Sequence, residues 1–175
     1  MPRDDAHPPI LIAISWQALG RAHDGRTETL LANCTVVILF ATFFIEANLN
    51  YLIRRLGRTA DMRTFFGGRH PGLGDKLAWF YNEYGARARV THRGHSRWKG
   101  VHRKVRARFP GFAKLHRFRN DLSHGVVNGS ARSLVEAKRL RQRAKDIVGD
   151  LYSLAAKAGH TVRQPTNYQK AIGLK

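Results

Sequence analysis

Acidic residues are scarce in this chain. Twelve Asp and Glu stand against 31 Lys and Arg, giving a formal net charge of +19 at pH 7 and a pI near 11.3. That excess goes far beyond what solubility needs and draws polyanions from a distance. Nucleic acid is the leading class of partner, an anionic membrane surface the second, and an acidic protein the third. Cysteine is nearly missing as well. Cys34 is the only one, so no internal disulfide can form, and its apolar surroundings mark a small core hydrophobe in a reducing compartment rather than a ligand or nucleophile.

Other absences narrow the field further. No Cys/His set has metal-ligand spacing; His92 and His95 lie in a basic stretch without nearby carboxylates, so no metal is expected. The turn-rich segment Gly67-Gly68-Arg69-His70-Pro71-Gly72 is followed by no Gly-Lys-Ser/Thr, which leaves a nucleoside-triphosphate site without support. No internal repeat is present. The start, Met1-Pro2-Arg3-Asp4-Asp5, carries acid and proline before a short apolar stretch, which is not the order of a secretory signal, and cytoplasmic residence is the expectation. Residues 29–45 run for 17 positions without a charge, close to the length of a membrane span. Asn33, Thr35 and Thr42 within it, and Glu28 and Glu46 at its edges, favour a buried helix of a bundle, and no membrane partner is expected.

The pattern of what remains is helical. At 175 residues the chain suffices for one domain with a real core. A short first helix is expected over 9–23, then a turn, then a long helix from Thr27 to Leu56 stopped by Gly57. Asp75 is expected to cap a third helix carrying Leu77, Phe80, Tyr81 and Tyr84, whose rings pack in the core. Residues 84–120 contain 12 Lys or Arg and no acid. Within them 87–99 reads as a loop and 101–109 as a short amphipathic helix broken by Pro110-Gly111. A further helix carries Phe112, Leu115, Phe118 and Leu122 on its packing side. After a connection over 126–130, Ser133 and Glu136 suit a reciprocal capping box for a last long helix. Its apolar stripe, from Leu134 to Ala158, is core or dimer surface. The division expected is an N-terminal arm with a short helix (1–26), a helical domain (27–159) and a loose basic tail (160–175).

The chemistry concentrates in Arg119-Asn120-Asp121-Leu122-Ser123-His124, at the end of the basic stretch. A guanidinium matches phosphoryl oxygens with a planar fork of donors, and histidine gives and takes protons near neutrality. This hexad resembles the Arg-x4-6-His ribonuclease motif of the HEPN superfamily, in the form where Asn follows Arg. Its place before a final long helix also matches, and the segment Phe40-Ala41-Thr42-Phe43-Phe44-Ile45-Glu46-Ala47-Asn48-Leu49 is similar to the family's first major core helix.

The resemblance implies an all-α, HEPN-like helical bundle with a basic insertion-like region at 87–108. The activity it implies is that of a metal-independent RNA endonuclease without cofactor, usually a homodimer, akin to toxins and antiviral defence effectors that an inhibitory antitoxin or regulatory protein restrains. Arg119 and His124 would be catalytic, with Asn120, Asp121 and Glu46 supporting them; Arg103, Arg106, Arg108 and Arg117 would bind RNA. Arg119 and His124 are five residues apart, about 7.5 Å of rise and roughly 140° around an ideal helix. A relaxed helix end or a second motif across a two-fold axis would bring such a pair together. The alternative is a noncatalytic member of the same fold that binds nucleic acid or docks a partner through its basic face.

Overall fold

The computed structural model describes residues 8–24, 27–58, 72–85, 103, 105–123 and 133–163. They form an all-α bundle with no strand among the described residues. Helix α1 (Pro8–Asp24) begins at a proline, whose fixed φ and missing N–H suit a first helical turn. It lies along α2 (Thr27–Leu56) and contributes Ile12, Ala18, Leu19 and Ala22 to the core. Ser15 sits in this dry contact and donates its hydroxyl to the Val37 carbonyl at 2.9 Å, so its burial leaves no unmet polar group.

Helix α2 is the centre of the bundle and contacts every other α-helix. Cys34, Val37, Ile38, Ala41, Ile45, Leu49, Leu52 and Ile53 are fully buried. Two buried polar residues that share this environment bond back along the helix: Thr42 donates to the Ile38 carbonyl and Asn48 to the Phe44 carbonyl, both at 2.9 Å. The segment Ala32–Leu56 is long and apolar enough to cross a membrane, and 61% of its most apolar window is buried within the fold. Gly57 accompanies the stop, donating its N–H to the Ile53 carbonyl, and Arg54 and Arg55 place positive charge at the dipole's negative end.

Helix α3 (Leu73–Phe80) departs from expectation at its start. Gly72, not Asp75, is the N-cap, and no side chain caps the helix. Asp75 falls inside the first turn, where its carboxylate still favours the positive end of the dipole. The helix then widens into a π-helical turn, Tyr81–Gly85. This keeps Tyr81 and Tyr84 half-buried against the core, with Tyr84 donating to the Leu56 carbonyl at 3.1 Å. Phe80 is buried, as the aromatic spacing predicted, and so is Trp79, which lay outside that expectation.

The basic stretch enters the described structure at Arg103 and as a helical turn over 105–108, anchored by buried Val105 and Phe109. Pro110 and Gly111 then break it. Gly111 has φ +88°, a left-handed conformation that a side chain resists, and a Cβ there would meet Arg143 Cγ at 3.1 Å. This corner sets the start of α4 (Phe112–Ser123), which buries Phe112, Leu115 and Phe118.

Helix α5 (Leu134–Lys157) is capped by Ser133, whose hydroxyl accepts from the Glu136 N–H at 3.2 Å. Only this half of the expected box is seen. The Glu136 carboxylate pairs instead with Lys114 of α4, a tertiary cation competing with a local amide. The apolar stripe of α5, including Ala137, Leu140, Ala144, Ile147, Val148, Leu151 and Ala155, is buried within the single chain, so it serves as core. Gly159, at φ +88°, ends the helix, and the start of the tail stays largely exposed while making two contacts: the His160 ring meets Tyr84 edge to face and the half-buried Val162 lies against the core. The expected loop at 87–99, the connection at 126–130 and the tail beyond 163 lie outside the described residues.

Candidate functional site

Arg119 owes its orientation to the stripe it shares with the packing residues of α4. It comes four positions after Leu115 and seven after Phe112, so all three point the same way around the helix. Leu115 and Phe112 are buried against the bundle, and Arg119 is drawn toward α2 with them. There its Nη2 lies 3.6 Å from Glu46 Oε2, while Nη1 reaches Asn120 Oδ1 at 3.5 Å. The structure thus brings Glu46 and Asn120 beside Arg119. Glu46 is the only charged residue of α2 between Glu28 and Arg54, so it brings a single negative charge to this part of the core helix.

The second carboxylate oxygen of Glu46 is also occupied. Lys76, from α3, places its Nζ 3.3 Å from Oε1. Three elements thus meet at one carboxylate, and their exposures form a gradient: 7% of the Lys76 side chain, 21% of Glu46 and 30% of Arg119 remain accessible. The order runs cation, anion, cation from the interior to the surface, and its net charge is +1. A dehydrated ammonium is expensive unless paired, and Glu46 supplies the pairing.

Lys76 was not anticipated from the sequence, although a signal was there. It is the only cation in an eight-residue, largely apolar helix and lies three residues after buried Leu73 and four before buried Phe80. A charge on a packing stripe calls for a buried counter-charge. Nor does the sequence single out Asn50. It lies one turn beyond Glu46 on the same side of α2, and its Oδ1 is shielded from solvent with no hydrogen-bond partner among the described residues.

The remaining candidates are more dispersed. Asp121 is half-buried and lies 3.8 Å from Arg117 Nε, one helical turn away, so the cation it meets is a neighbour on its own helix. Arg117 itself is 82% exposed and, five positions beyond Phe112, points away from the packed stripe. Arg103 and Arg106 are exposed, and Arg108 is tied to Asp150 of α5 at 3.4 Å. His124 lies outside the described residues, as do the side chains of Leu122 and Ser123. Among the described residues no group of three or more His, Cys, Asp or Glu could hold a metal ion.

Two ionisable groups of α2 and α5 have shifted equilibria without belonging to this cluster. Burial raises the Cys34 thiol above its ordinary value, which fits a core residue and removes nucleophilic character. Tyr152 is held well above the ordinary tyrosine value, by burial first and by Tyr51 second, and its hydroxyl donates to Asn48 Oδ1 at 3.1 Å. Comparison of the chain with protein-family models, curated proteins and solved structures finds no match.

Proposed function

We propose that the chain is a metal-independent endoribonuclease with a HEPN-like bundle, acting through Arg119 and His124. The observation that carries this reading is the setting of Arg119. The arginine of the Arg-x4-His hexad is held by Glu46 on a packed face while nearly a third of its side chain stays open to solvent. A guanidinium so placed can meet a phosphodiester without first being ordered. The surplus of +19 supplies the long-range attraction for RNA.

In the proposed reaction the ribose 2′-oxygen attacks the adjacent phosphorus as His124 takes the hydroxyl proton. The new O2′–P bond forms as the P–O5′ bond breaks, leaving a cyclic phosphate and a 5′-oxygen that accepts a proton. Arg119 neutralises charge accumulating on the non-bridging oxygens. RNA brings its own nucleophile, so the step needs no cofactor. The five-residue spacing favours a homodimer that brings two hexads to one cleft. Because the α5 stripe is consumed by the core, such a dimer would use another face. The reading places the protein in the cytoplasm, off the membrane and under the restraint of an inhibitory partner.

The test is cleavage of end-labelled RNA in chelator by wild type, Arg119→Ala and His124→Ala. Each substitution is expected to lower the rate at least about tenfold, the lower end for removing a catalytic contact, with the helical circular dichroism unchanged. Near-normal rates in both variants would sink the assignment. RNA retained but uncut by wild type would favour the noncatalytic binder, and sedimentation equilibrium at cleaving concentrations decides the dimer.

A further inference from the structure

We infer that Lys76 is a positioning residue for Arg119: by holding one oxygen of Glu46 from the interior, it keeps the arginine available to a phosphate. The inference rests on the reading of Arg119 as the phosphate contact. A carboxylate and a guanidinium left to themselves form a two-pronged pair, with both oxygens on parallel N–H donors. That arrangement is not present here. Lys76 lies on Oε1 at 3.3 Å, and the approach of Arg119 to the carboxylate is from Nη2 to Oε2, at 3.6 Å, longer than a hydrogen bond.

An arriving phosphate benefits in two ways. The guanidinium does not have to be pulled from a two-pronged clamp. In addition, Glu46 is not stranded when Arg119 turns outward, because Lys76 remains on it. A partly buried carboxylate left without a cation would oppose that movement strongly. The exposure gradient supports this division of labour. Lys76 is too deep to meet a polyanion itself, and Arg119 is the outermost of the three.

The inference makes an unusual demand: removing a positive charge at position 76 should weaken phosphate binding at position 119, and removing the negative charge at position 46 as well should restore it. The probe is a fluorescent single-stranded oligonucleotide with 2′-deoxy sugars, which cannot be cleaved by 2′-oxygen attack, titrated in chelator at fixed salt. Arg119→Ala gives the reference for loss of the contact. Lys76→Met is expected to weaken binding about tenfold, the worth of one charge-assisted hydrogen bond, since Glu46 then captures Arg119 with both oxygens. Lys76→Met/Glu46→Gln is expected to return to within about twofold of wild type. Lys76→Gln, which keeps a donor but no charge, disturbs the packing less and is expected to behave as Lys76→Met.

Thermal melts confirm that the compared variants are folded. A merely structural role for Lys76 predicts no rescue by Glu46→Gln. Unchanged affinity in a folded Lys76 variant, or a folded double variant no tighter than the single one, overturns the inference. So does binding that ignores Arg119→Ala. Wild type that binds through Arg119 yet leaves ordinary RNA uncut would defeat the ribonuclease reading alone, with the rescue still deciding the role of Lys76.

Discussion

Replacing Glu46 with Gln isolates the stabilising side of the three-charge cluster. The substitution preserves shape and leaves an oxygen that still accepts a hydrogen bond, but it removes the negative charge that faces the Lys76 ammonium, whose side chain is only 7% accessible. Breaking a buried pair by removing one partner costs about 3–5 kcal/mol. Two features reduce that figure here. The Gln carbonyl retains one contact to Nζ, and Glu46 itself is 21% accessible, so its own dehydration was incomplete to begin with. The expected loss is about 2–3 kcal/mol. For a chain of this size it corresponds to a fall in Tm of roughly 4–12 °C. Urea and thermal denaturation monitored by far-UV circular dichroism at pH 7 measure both. A loss below about 0.5 kcal/mol, the range of a solvent-exposed pair, would show that Lys76 is hydrated and would refute the burial reasoning.

Three further outcomes are expected. Neutralising Arg103, Arg106 and Arg108 together should weaken RNA binding with little dependence on sequence and should flatten the dependence of log Kd on log salt, read by titration at several salt concentrations; an unchanged slope would assign these cations to another role. Gly111→Ala should lose about 1–2 kcal/mol in urea denaturation, from the left-handed backbone at φ +88° alone, with crowding against Arg143 adding to it; no loss would show that the corner relaxes. Because Tyr152 is held above its ordinary value in the fold, the folded state keeps its proton when the unfolded chain gives it up, so stability should fall as pH rises past about 10. Tyr152→Phe should reduce that alkaline loss, and an identical pH profile for the two proteins would contradict the shift.

The legible parts of the fold were those set by a long pattern or a strong local stop. The limits of α2 could be read because the apolar pattern continues in helical period beyond the uncharged run of residues 29–45, as far as Gly57. Pro110 and Gly111 likewise announced the corner before α4. The misplaced features are those in which a distant residue competes with a local one. Glu136 completes only half of its capping box because Lys114 of α4 takes its carboxylate. At α3 the spacing of Leu77, Phe80, Tyr81 and Tyr84 suited an ordinary helix and did not reveal the π-helical turn, since rings at adjacent positions satisfy either winding. The contacts of His160 and Val162 with the folded body are likewise invisible in the sequence, because the two residues belong to no periodic pattern.

The site shows the same division. Arg119 and Glu46 could be paired from the sequence only through the HEPN resemblance, whereas the position of Arg119 on the stripe of Phe112 and Leu115 gives a physical reason that needs no resemblance. That stripe also separates Arg119 from the other cations of the acid-free stretch. Arg117 has the same guanidinium two residues earlier, but it points outward, is 82% exposed and has Asp121 one turn away. A phosphate meeting Arg117 must order a long solvated side chain, at an entropic cost of up to about 2 kcal/mol. At Arg119 much of that ordering has already occurred on folding, through the packed stripe and the Glu46 contact. Folding has also placed Lys76 behind Glu46. On the proposed reading, the distinction between a phosphate-attracting surface and a phosphate-orienting site lies in which arginine the bundle holds in place: α2 supplies the carboxylate beside Arg119, and α3 supplies the cation on that carboxylate's other oxygen.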